Sequence, residues 1–327
     1  MYDELLRADM SLDAAGKSAC ARGESNMRFC RFGEGRLGLI AAPWIWESAV
    51  KDVTAALEVL PCCYQYPLPT YDVLIANLDK VAERAQAIAA NSPSLPLDSL
   101  KLLSPVANPG KIVAAPVNYK QHFEEVKSNV ALHNNNPALF QSINTIGLFL
   151  KAPSSLAGPG EGIALRKLDR RNDHEVELAF VIGKQGNNIP ASEAMDYVAG
   201  YAIGLDITIR GSEDRSFRKS PDTYSVLGPW LVTRDEIPNP NELDLSISVN
   251  GEVRQSSNTR NMILGVAELI EFASSFYTLH PGDIFMTGTP EGVAQIAPGD
   301  VIEATVEKVG TMTVNVRAAQ TAQVAVS

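Results

Sequence analysis

From Lys111 onwards the chain carries a long succession of short apolar runs, and this pattern limits its possible folds most strongly. Eight runs have the length of a β-strand, and only two helical stretches, Ser192–Tyr197 and Gly265–Ser275, interrupt them. Asn250–Gly251 between two of the runs predicts a hairpin. Many strands and few helices are typical of a mainly β, α+β domain, built as a mixed barrel or as stacked sheets. The strand-like runs are Ile112–Ala115, Leu148–Lys151, Val176–Gly183, Gly200–Ile209, Pro229–Thr233, Asp244–Val249, Asp283–Thr287 and Val301–Val306.

A smaller domain is expected ahead of these strands. Arg28–Phe32 and Leu37–Ala41 have the pattern of two strands joined by a glycine-containing turn, and Tyr71–Ala90 carries apolar residues at helical spacing. Asn, Ser and Pro then break the pattern, which places the end of this domain near residue 104. The predicted divisions are a disordered extension, 1–26, a small N-terminal α/β domain, 27–104, a β-rich catalytic domain, 105–318, and a tail, 319–327.

Composition and charge exclude several classes of protein. A formal net charge of -10 argues against a nucleic-acid partner, although a cation and local basic groups can still hold a small anionic substrate. No apolar run approaches the roughly 20 residues that a membrane span requires. The acidic N-terminal segment lacks a signal-peptide pattern, and the four cysteines lack metal-site spacing. We therefore expect a cytoplasmic protein with free thiols.

Two glutamates share one face of the strand expected near residue 175. Alternate residues of a strand point the same way, so Glu175 and Glu177 lie opposite a fully apolar row. Like charges roughly 7 Å apart repel unless water or a cation separates them. Two solvated glutamates at a sheet edge are the simpler alternative. The small apolar residues that follow on the same face favour a bound cation.

A third carboxylate interrupts the apolar run at 200–209. A buried and unpaired Asp206 would be costly, so this side chain needs a cation or hydrogen bonds. Arg210, four residues later, is one candidate partner. Three carboxylates without clustered thiolates or imidazoles favour Mg²⁺ or Mn²⁺ over zinc.

A histidine and a glutamate follow the run at 112–115. If 120–127 is helical, His122 and Glu125 are three residues apart and lie on one helix face. A carboxylate beside an imidazole orients the ring and raises its basicity, which suits a general acid or base. Such pairs are also common on helix surfaces, so the spacing alone leaves a purely structural role open.

Five motifs follow one another in order between residues 105 and 318. They are Asn118-Tyr119-x-x-His122-x-x-Glu125, Glu175-Val176-Glu177-Leu178, Gly200-Tyr201 with Asp206-Ile207-Thr208-Ile209-Arg210, Lys219-Ser220-Pro221-Asp222-Thr223 with Gly228-Pro229, and Pro281-Gly282-Asp283 with Thr287-Gly288-Thr289-Pro290. This series resembles the fumarylacetoacetate hydrolase family. The segment 27–104 resembles the variable N-terminal domain that many members carry, and 1–26 resembles nothing in the family.

The resemblance implies a β-rich fold that holds one divalent cation, Mg²⁺ (or Mn²⁺ or Ca²⁺), and an enzyme that is usually a homodimer. The implied metal ligands are Glu175, Glu177 and Asp206. The implied catalytic residues are His122, Glu125 and Lys219. The implied substrate contacts are Tyr119, Arg210, Glu213 and Thr289. Alternatively, Arg210 and Lys219 only neutralise neighbouring acids, and the Thr-Gly-Thr-Pro motif is only a tight turn.

Two departures from the family pattern concern the substrate. Many members carry Arg-Asp-x-Gln where this chain has Arg210-Gly211-Ser212-Glu213, so an acid replaces a glutamine that would hydrogen-bond substrate. The segment 126–147, which follows the histidine and glutamate, looks long. We interpret it as a lid or a substrate-selecting loop, with an ordinary surface insertion as the alternative.

The resemblance implies hydrolysis of a C–C bond in a small 2-oxo or 1,3-dioxo carboxylic acid such as an acylpyruvate, in the catabolism of aromatic or related carbon compounds. Water activated by His122 would split the substrate into a carboxylic acid and a 2-oxo acid. An isomerase, tautomerase or decarboxylase acting on a related 2-oxo acid is the first alternative. The second is a catalytically silent metal- or ligand-binding protein, which would not need His122 and Glu125.

Overall fold

The strands that the structure describes form three sheets. The computed structural model describes residues 27–33, 35–40, 49–60, 70–133 and 140–320. The expected extension, 1–26, the middle of the segment 126–147 and most of the expected tail lie outside the described residues. Within the described ranges, no helix is long and apolar enough to cross a membrane.

The largest sheet has twelve strands within the described ranges. They are β1 (Arg28–Phe32), β2 (Arg36–Ile40), β3 (Ala49–Asp52), β4 (Ser94–Pro96), β5 (Leu102–Leu103), β6 (Ile112–Ala114), β7 (Phe149–Lys151), β8 (Leu156–Ala157), β11 (Val176–Ile182), β12 (Val198–Asp206), β14 (Ser225–Thr233) and β17 (Ile284–Met286). The order is β4-β3-β2-β1-β14-β12-β11-β17-β6-β7, with β5 beside β1 and β8 beside β14. Since β1 pairs with β14, the sheet continues across the expected boundary at 104, and the division into two domains stays a prediction.

Two smaller sheets contain the remaining described strands. The three-stranded sheet has the order β13-β10-β18, and the five-stranded sheet has the order β16-β15-β19-β20-β9. Their strands are β9 (Ile163–Leu165), β10 (Asn172–His174), β13 (Thr208–Ile209), β15 (Asp244–Val249), β16 (Glu252–Asn258), β18 (Ala294–Gln295), β19 (Val301–Val306) and β20 (Gly310–Ala318). The predicted hairpin is present, because Asn250 and Gly251 both have positive φ between β15 and β16.

Seven short α-helices lie among these strands in the described residues. They are α1 (Val73–Ala76), α2 (Leu78–Ala89), α3 (Lys120–Ser128), α4 (Val130–His133), α5 (Ile143–Ile146), α6 (Arg215–Lys219) and α7 (Val266–Ser274). The helix expected at 192–197 is a 3₁₀ turn at Ala194–Tyr197. The mainly β, α+β fold predicted from the sequence is confirmed.

Strand β11 is buried on both of its faces. One face, with Phe180 stacked on Phe285 at 4.5 Å between ring centroids, belongs to the main core between the largest sheet and the five-stranded sheet. The other face, with Ala179 and Val181, packs in a second cluster. Because both faces are covered, the glutamates at the beginning of β11 enter the protein interior, and the alternative of a solvated sheet edge is wrong.

The apolar run at 200–209 is not one strand. β12 ends at Asp206 in the largest sheet, and the next two-residue strand, β13, pairs with β10 in the small sheet. Ile207 lies between them and donates its N–H to the Tyr224 carbonyl oxygen at 2.9 Å. Asp206 therefore ends a strand instead of interrupting it, which lets its carboxylate leave the sheet.

Candidate active site

Three carboxylates meet in the largest sheet, at the place where β11 begins and β12 ends. Glu175 directly precedes β11, Glu177 is its second residue, and Asp206 ends β12. Antiparallel pairing of Val176 with Leu205 brings these strand ends together. One oxygen of each carboxylate lies within 4.8 Å of the others, and each residue is at most 4% exposed. Ionised carboxylates this close repel one another, so the group needs positive charge.

Two buried lysines supply part of that charge. The Lys219 ammonium donates to Glu175 Oε2 and to Asp206 Oδ2, both at 2.6 Å. The Lys151 ammonium donates to Asp206 Oδ1 and to the Tyr224 carbonyl oxygen. Lys219 is among the predicted catalytic residues. Lys151 is not, because one lysine at the end of an apolar run carries no distinguishing signal.

The candidate pairing of Arg210 with Asp206 is wrong. The Arg210 guanidinium donates from Nη2 to Glu175 Oε1 at 2.9 Å and from Nε to Asp173 Oδ2 at 2.7 Å. Asp206 has the two lysines instead. The break at residue 207 explains the difference, since Arg210 follows β13, whose partner strand β10 contains Asp173.

The carboxylates differ in how well their charge is compensated. Burial would raise the pKa of Glu175, but the positive charges of Lys219 and Arg210 lower it to about 2. Burial and the nearby Asp206 raise the pKa of Glu177 well above its usual range. Within the described residues, Glu177 contacts no cation and accepts one hydrogen bond, from the Gly288 N–H at 2.7 Å. Hard oxygen donors with this uncompensated charge fit a divalent cation such as Mg²⁺ or Mn²⁺.

The predicted acid–base pair lies beside this cluster. His122 Nδ1 is 2.8 Å from Glu125 Oε2 on one face of α3, and Glu125 Oε1 accepts the Gly292 N–H at 3.1 Å. His122 lines the same cavity of about 50 Å³ as Glu175 and Glu177. A wider, open concavity lies on β15, β16 and β19 and contains none of the predicted site residues. The chemistry therefore places the candidate active site in the smaller cavity.

Thr289 also lines this cavity and is held firmly. Its hydroxyl donates to the Val176 carbonyl oxygen at 2.9 Å and accepts from Gln255 Nε2 at 2.8 Å. The buried Gln255 amide also donates to the Pro290 carbonyl oxygen and accepts from the Val176 N–H. Gln255 thus fastens the Thr-Gly-Thr-Pro turn to the start of β11. Nothing in the polar run of β16 distinguishes this glutamine in the sequence.

Two predicted substrate contacts do not line the cavity. Tyr119 is fully buried in the main core, and its hydroxyl has no hydrogen-bond partner in the described part of the chain. Glu213 forms a two-pronged ion pair with Arg170, with both oxygens at 2.8 Å from guanidinium nitrogens. Tyr119 is therefore packed in the core and Glu213 is paired with Arg170. Contacts of these two side chains with substrate stay predictions.

Glu213→Gln is expected to alter KM or the ranking of substrates while metal affinity stays close to that of the wild type. The Arg170 guanidinium that pairs with Glu213 also donates to the Arg210 carbonyl oxygen, so the pair reaches the site only through backbone. Steady-state kinetics and a calorimetric metal titration measure both effects. Arg170→Gln is the matched variant, and it should reproduce the result. Loss of the metal from either variant would contradict this role.

Helix α6 adds two arginines that the sequence patterns did not single out. Arg215 and Arg218 line the cavity together with Lys219. The sequence contains a signal in retrospect, since residues 215–219 read Arg-Ser-Phe-Arg-Lys and are strongly basic in an acidic chain. A basic run is usually solvated, and only the fold turns this one towards the carboxylates.

Most of the chain beyond residue 110 matches a known protein family. Residues 111–317 match the family described as Fumarylacetoacetate (FAA) hydrolase C-terminal. The chain belongs to the fumarylacetoacetate hydrolase family. Among its relatives, a maleylpyruvate hydrolase of Aquipseudomonas alcaligenes is 57% identical over 291 residues, which cover 89% of this chain and 99% of the relative. The resemblance predicted from the five motifs is confirmed.

The chain is similar in sequence to family members that catalyse different reactions. A crystal structure of a maleylpyruvate hydrolase from Sphingobium sp. SYK-6, in complex with manganese(II) ion and pyruvate, is 37% identical with a TM-score of 0.74. The structural match covers 90% of this chain and 100% of the Sphingobium chain. An oxaloacetate tautomerase of Rattus norvegicus is 37% identical over 239 residues, or 69% of this chain and 72% of the relative.

Proposed function

We propose that this protein is a divalent-metal-dependent hydrolase that cleaves a C–C bond in an acylpyruvate-like 2,4-dioxo acid. The observation that carries the proposal is that His122, hydrogen-bonded to Glu125, and the carboxylate cluster line one small cavity. A protein that only binds a metal needs no such pair. The similarity to maleylpyruvate hydrolases supports the same reaction class, in the catabolism of aromatic compounds.

In the proposed reaction, the carboxylates would hold the metal, and His122 with Glu125 would transfer the proton. A divalent cation held by Glu175, Glu177 and Asp206 would supply a Lewis acid for the oxo-acid end of the substrate. Glu125 accepts the Nδ1 hydrogen of His122, which leaves Nε2 free to take a proton from water. The resulting hydroxide adds to the distal carbonyl carbon, and the bond between this carbon and the methylene of the 2-oxo acid breaks.

The electron pair of the broken bond needs stabilisation and a proton. It passes to the 2-oxo acid as an enolate, close to the positive charges of Lys219 and Arg210. His122 returns its proton to the methylene carbon. The products are a carboxylic acid and a 2-oxo acid such as pyruvate.

A tautomerase or decarboxylase is the second candidate, because an oxaloacetate tautomerase is among the relatives. The same enolate serves these reactions, and decarboxylation can proceed on metal chelation alone. The pair of His122 with Glu125 favours hydrolysis over decarboxylation, since hydrolysis requires a base that activates water and decarboxylation does not.

A substrate panel tests the proposal. The purified protein, with and without Mg²⁺ or Mn²⁺, is assayed for hydrolysis of acylpyruvates and for decarboxylation and tautomerisation of oxaloacetate. We expect metal-dependent release of pyruvate from an acylpyruvate. Turnover of oxaloacetate without any cleavage of acylpyruvates would reject the hydrolase and establish the second candidate. The choice of Mg²⁺ in the cell, the homodimer and the cytoplasmic location stay predictions.

A further inference from the structure

One short segment of the chain, residues 287–292, contacts both halves of the candidate active site. This turn segment follows β17 and contains the Thr-Gly-Thr-Pro motif. Near its beginning, the Gly288 N–H donates to Glu177 Oε2 at 2.7 Å. At its end, the Gly292 N–H donates to Glu125 Oε1 at 3.1 Å. The backbone of the turn segment therefore touches a proposed metal ligand and the partner of the proposed base.

The two glycines are required by the shape of the turn segment. Both have a φ of 93°, which residues with a side chain rarely adopt. A Cβ on Gly292 would lie 2.3 Å from the Arg254 carbonyl oxygen, and a Cβ on Gly288 would lie 2.7 Å from Asn118 Cβ. Glycine also gives the backbone more freedom than any other residue. The positions of the two N–H groups therefore depend on contacts that hold the segment from outside.

The buried side chain of Gln255 holds the segment between the two glycines. Its amide nitrogen donates to the Thr289 hydroxyl oxygen at 2.8 Å and to the Pro290 carbonyl oxygen at 2.7 Å. Its amide oxygen faces the Val176 N–H at 3.1 Å and His174 Nδ1 at 3.2 Å. These contacts use both donors and both acceptor positions of the amide, so they fix its orientation. Strand β16 is thereby joined through one side chain to the turn segment and to the beginning of β11.

A second anchor lies ahead of the glycines. Asn118 Nδ2 donates to the Thr287 carbonyl oxygen at 2.8 Å, and the Thr287 hydroxyl donates to the Leu178 carbonyl oxygen at 2.9 Å. Among the described residues, only the Gln255 side chain donates hydrogen bonds to residues 289–290. The middle of the turn segment therefore depends on this one glutamine.

From these contacts we propose that Gln255 is a positioning residue that serves the metal centre and the base together, through the turn segment. This role rests on the proposed function, which assigns Glu177 to the metal and Glu125 to the base. Without the two hydrogen bonds that Gln255 donates, the middle of the segment would shift. Its glycine N–H groups would then hold the two carboxylates less firmly, and both sites would be affected at once.

Gln255→Met tests this role with two measurements that need no turnover. The variant keeps the length of the side chain and removes its donors and acceptors. Calorimetry should show an Mn²⁺ affinity about 10-fold lower than that of the wild type, as is usual for groups that hydrogen-bond a metal ligand. NMR of ¹⁵N-labelled histidine with Mg²⁺ present reports on His122, whose signals are assigned through His122→Ala. The neutral ring should carry its hydrogen on Nδ1 in the wild type and should populate both tautomers in Gln255→Met.

Thr259→Val is the matched control. Thr259 lies directly after β16, accepts from the Leu243 N–H and donates to the Pro240 carbonyl oxygen, both at 2.8 Å, so this variant also loses two buried hydrogen bonds. Neither bond reaches the turn segment, so Mn²⁺ affinity and the His122 tautomer should stay those of the wild type. Gln255→Glu keeps an oxygen towards β11 and lacks the amide hydrogens. It should repeat the losses, and it serves as the test if Gln255→Met does not fold.

Both measurements must change together in a variant that circular dichroism shows to be folded. Wild-type Mn²⁺ affinity with the wild-type His122 tautomer in Gln255→Met would overturn the positioning role. A change in only one of them would also overturn it, because the turn segment would not then serve both sites. Equal losses in Thr259→Val would show general damage to the fold instead.

Hydrolysis of acylpyruvates separates the positioning role from the proposed function. At saturating Mn²⁺, kcat should fall about 10-fold or more in Gln255→Met. If the wild type cleaves no acylpyruvate but both measurements change in Gln255→Met, the hydrolase fails and the positioning role stands. If the wild type cleaves acylpyruvates and neither measurement changes in Gln255→Met, the hydrolase stands and the positioning role fails.

Discussion

Removal of divalent cations with EDTA is expected to abolish turnover, and Mg²⁺ or Mn²⁺ should restore it. Glu175, Glu177 and Asp206 place three carboxylate oxygens within 4.8 Å of one another, and the carboxylate of Glu177 has no basic partner in the described residues. A cation is therefore needed both to balance the cluster and to polarise the substrate. Stopped assays of the chelated and reloaded protein measure the effect.

Glu177→Gln tests the cluster in a single position. The substitution keeps the size of the side chain but removes a carboxylate that no basic side chain compensates. Mn²⁺ affinity should therefore fall by more than about 100-fold. Residues that only hydrogen-bond to a metal ligand usually have a smaller effect. Glu303→Gln, an exposed carboxylate on β19, is the matched control and should bind Mn²⁺ normally. Full activity after chelation, or unchanged Mn²⁺ affinity in Glu177→Gln, would show that the cluster is not a metal site.

His122→Ala and Glu125→Gln are each expected to lower kcat for acylpyruvate hydrolysis by about 10²-fold or more, with little change in KM. A positioned base contributes about this factor, and Glu125 holds the His122 ring through the 2.8 Å contact at Nδ1. Steady-state kinetics at saturating metal measures the loss. Decarboxylation of oxaloacetate should be affected much less, because chelation alone supports it.

A neighbouring glutamate controls for general damage to the helix. Glu124 lies on α3 and is exposed, and among the described residues it pairs only with Lys127. Glu124→Gln should therefore leave both reactions unchanged. If His122→Ala hydrolyses acylpyruvate at the rate of the wild type, or loses both reactions equally, the pair is not the base that activates water.

Local patterns in the sequence determined the elements that carry the site. Alternation after residue 175 predicted β11 and the common direction of Glu175 and Glu177, since side chains of a strand alternate whatever surrounds it. The spacing of His122 and Glu125 predicted their contact, because it depends on the turn of one helix. The order of the five motifs predicted the family, which the match over residues 111–317 confirms.

Only the tertiary structure decided which charges meet. Lys151 lies 55 positions before Asp206 and Gln255 lies 34 positions before Thr289, so no local periodicity relates the members of either pair. The strand expected at 200–209 breaks at Ile207, and this break assigns Asp206 to two lysines and turns Arg210 towards Asp173. Pairing of buried charges depends on which strands lie side by side, because Coulomb energy follows distance in space and not separation along the chain.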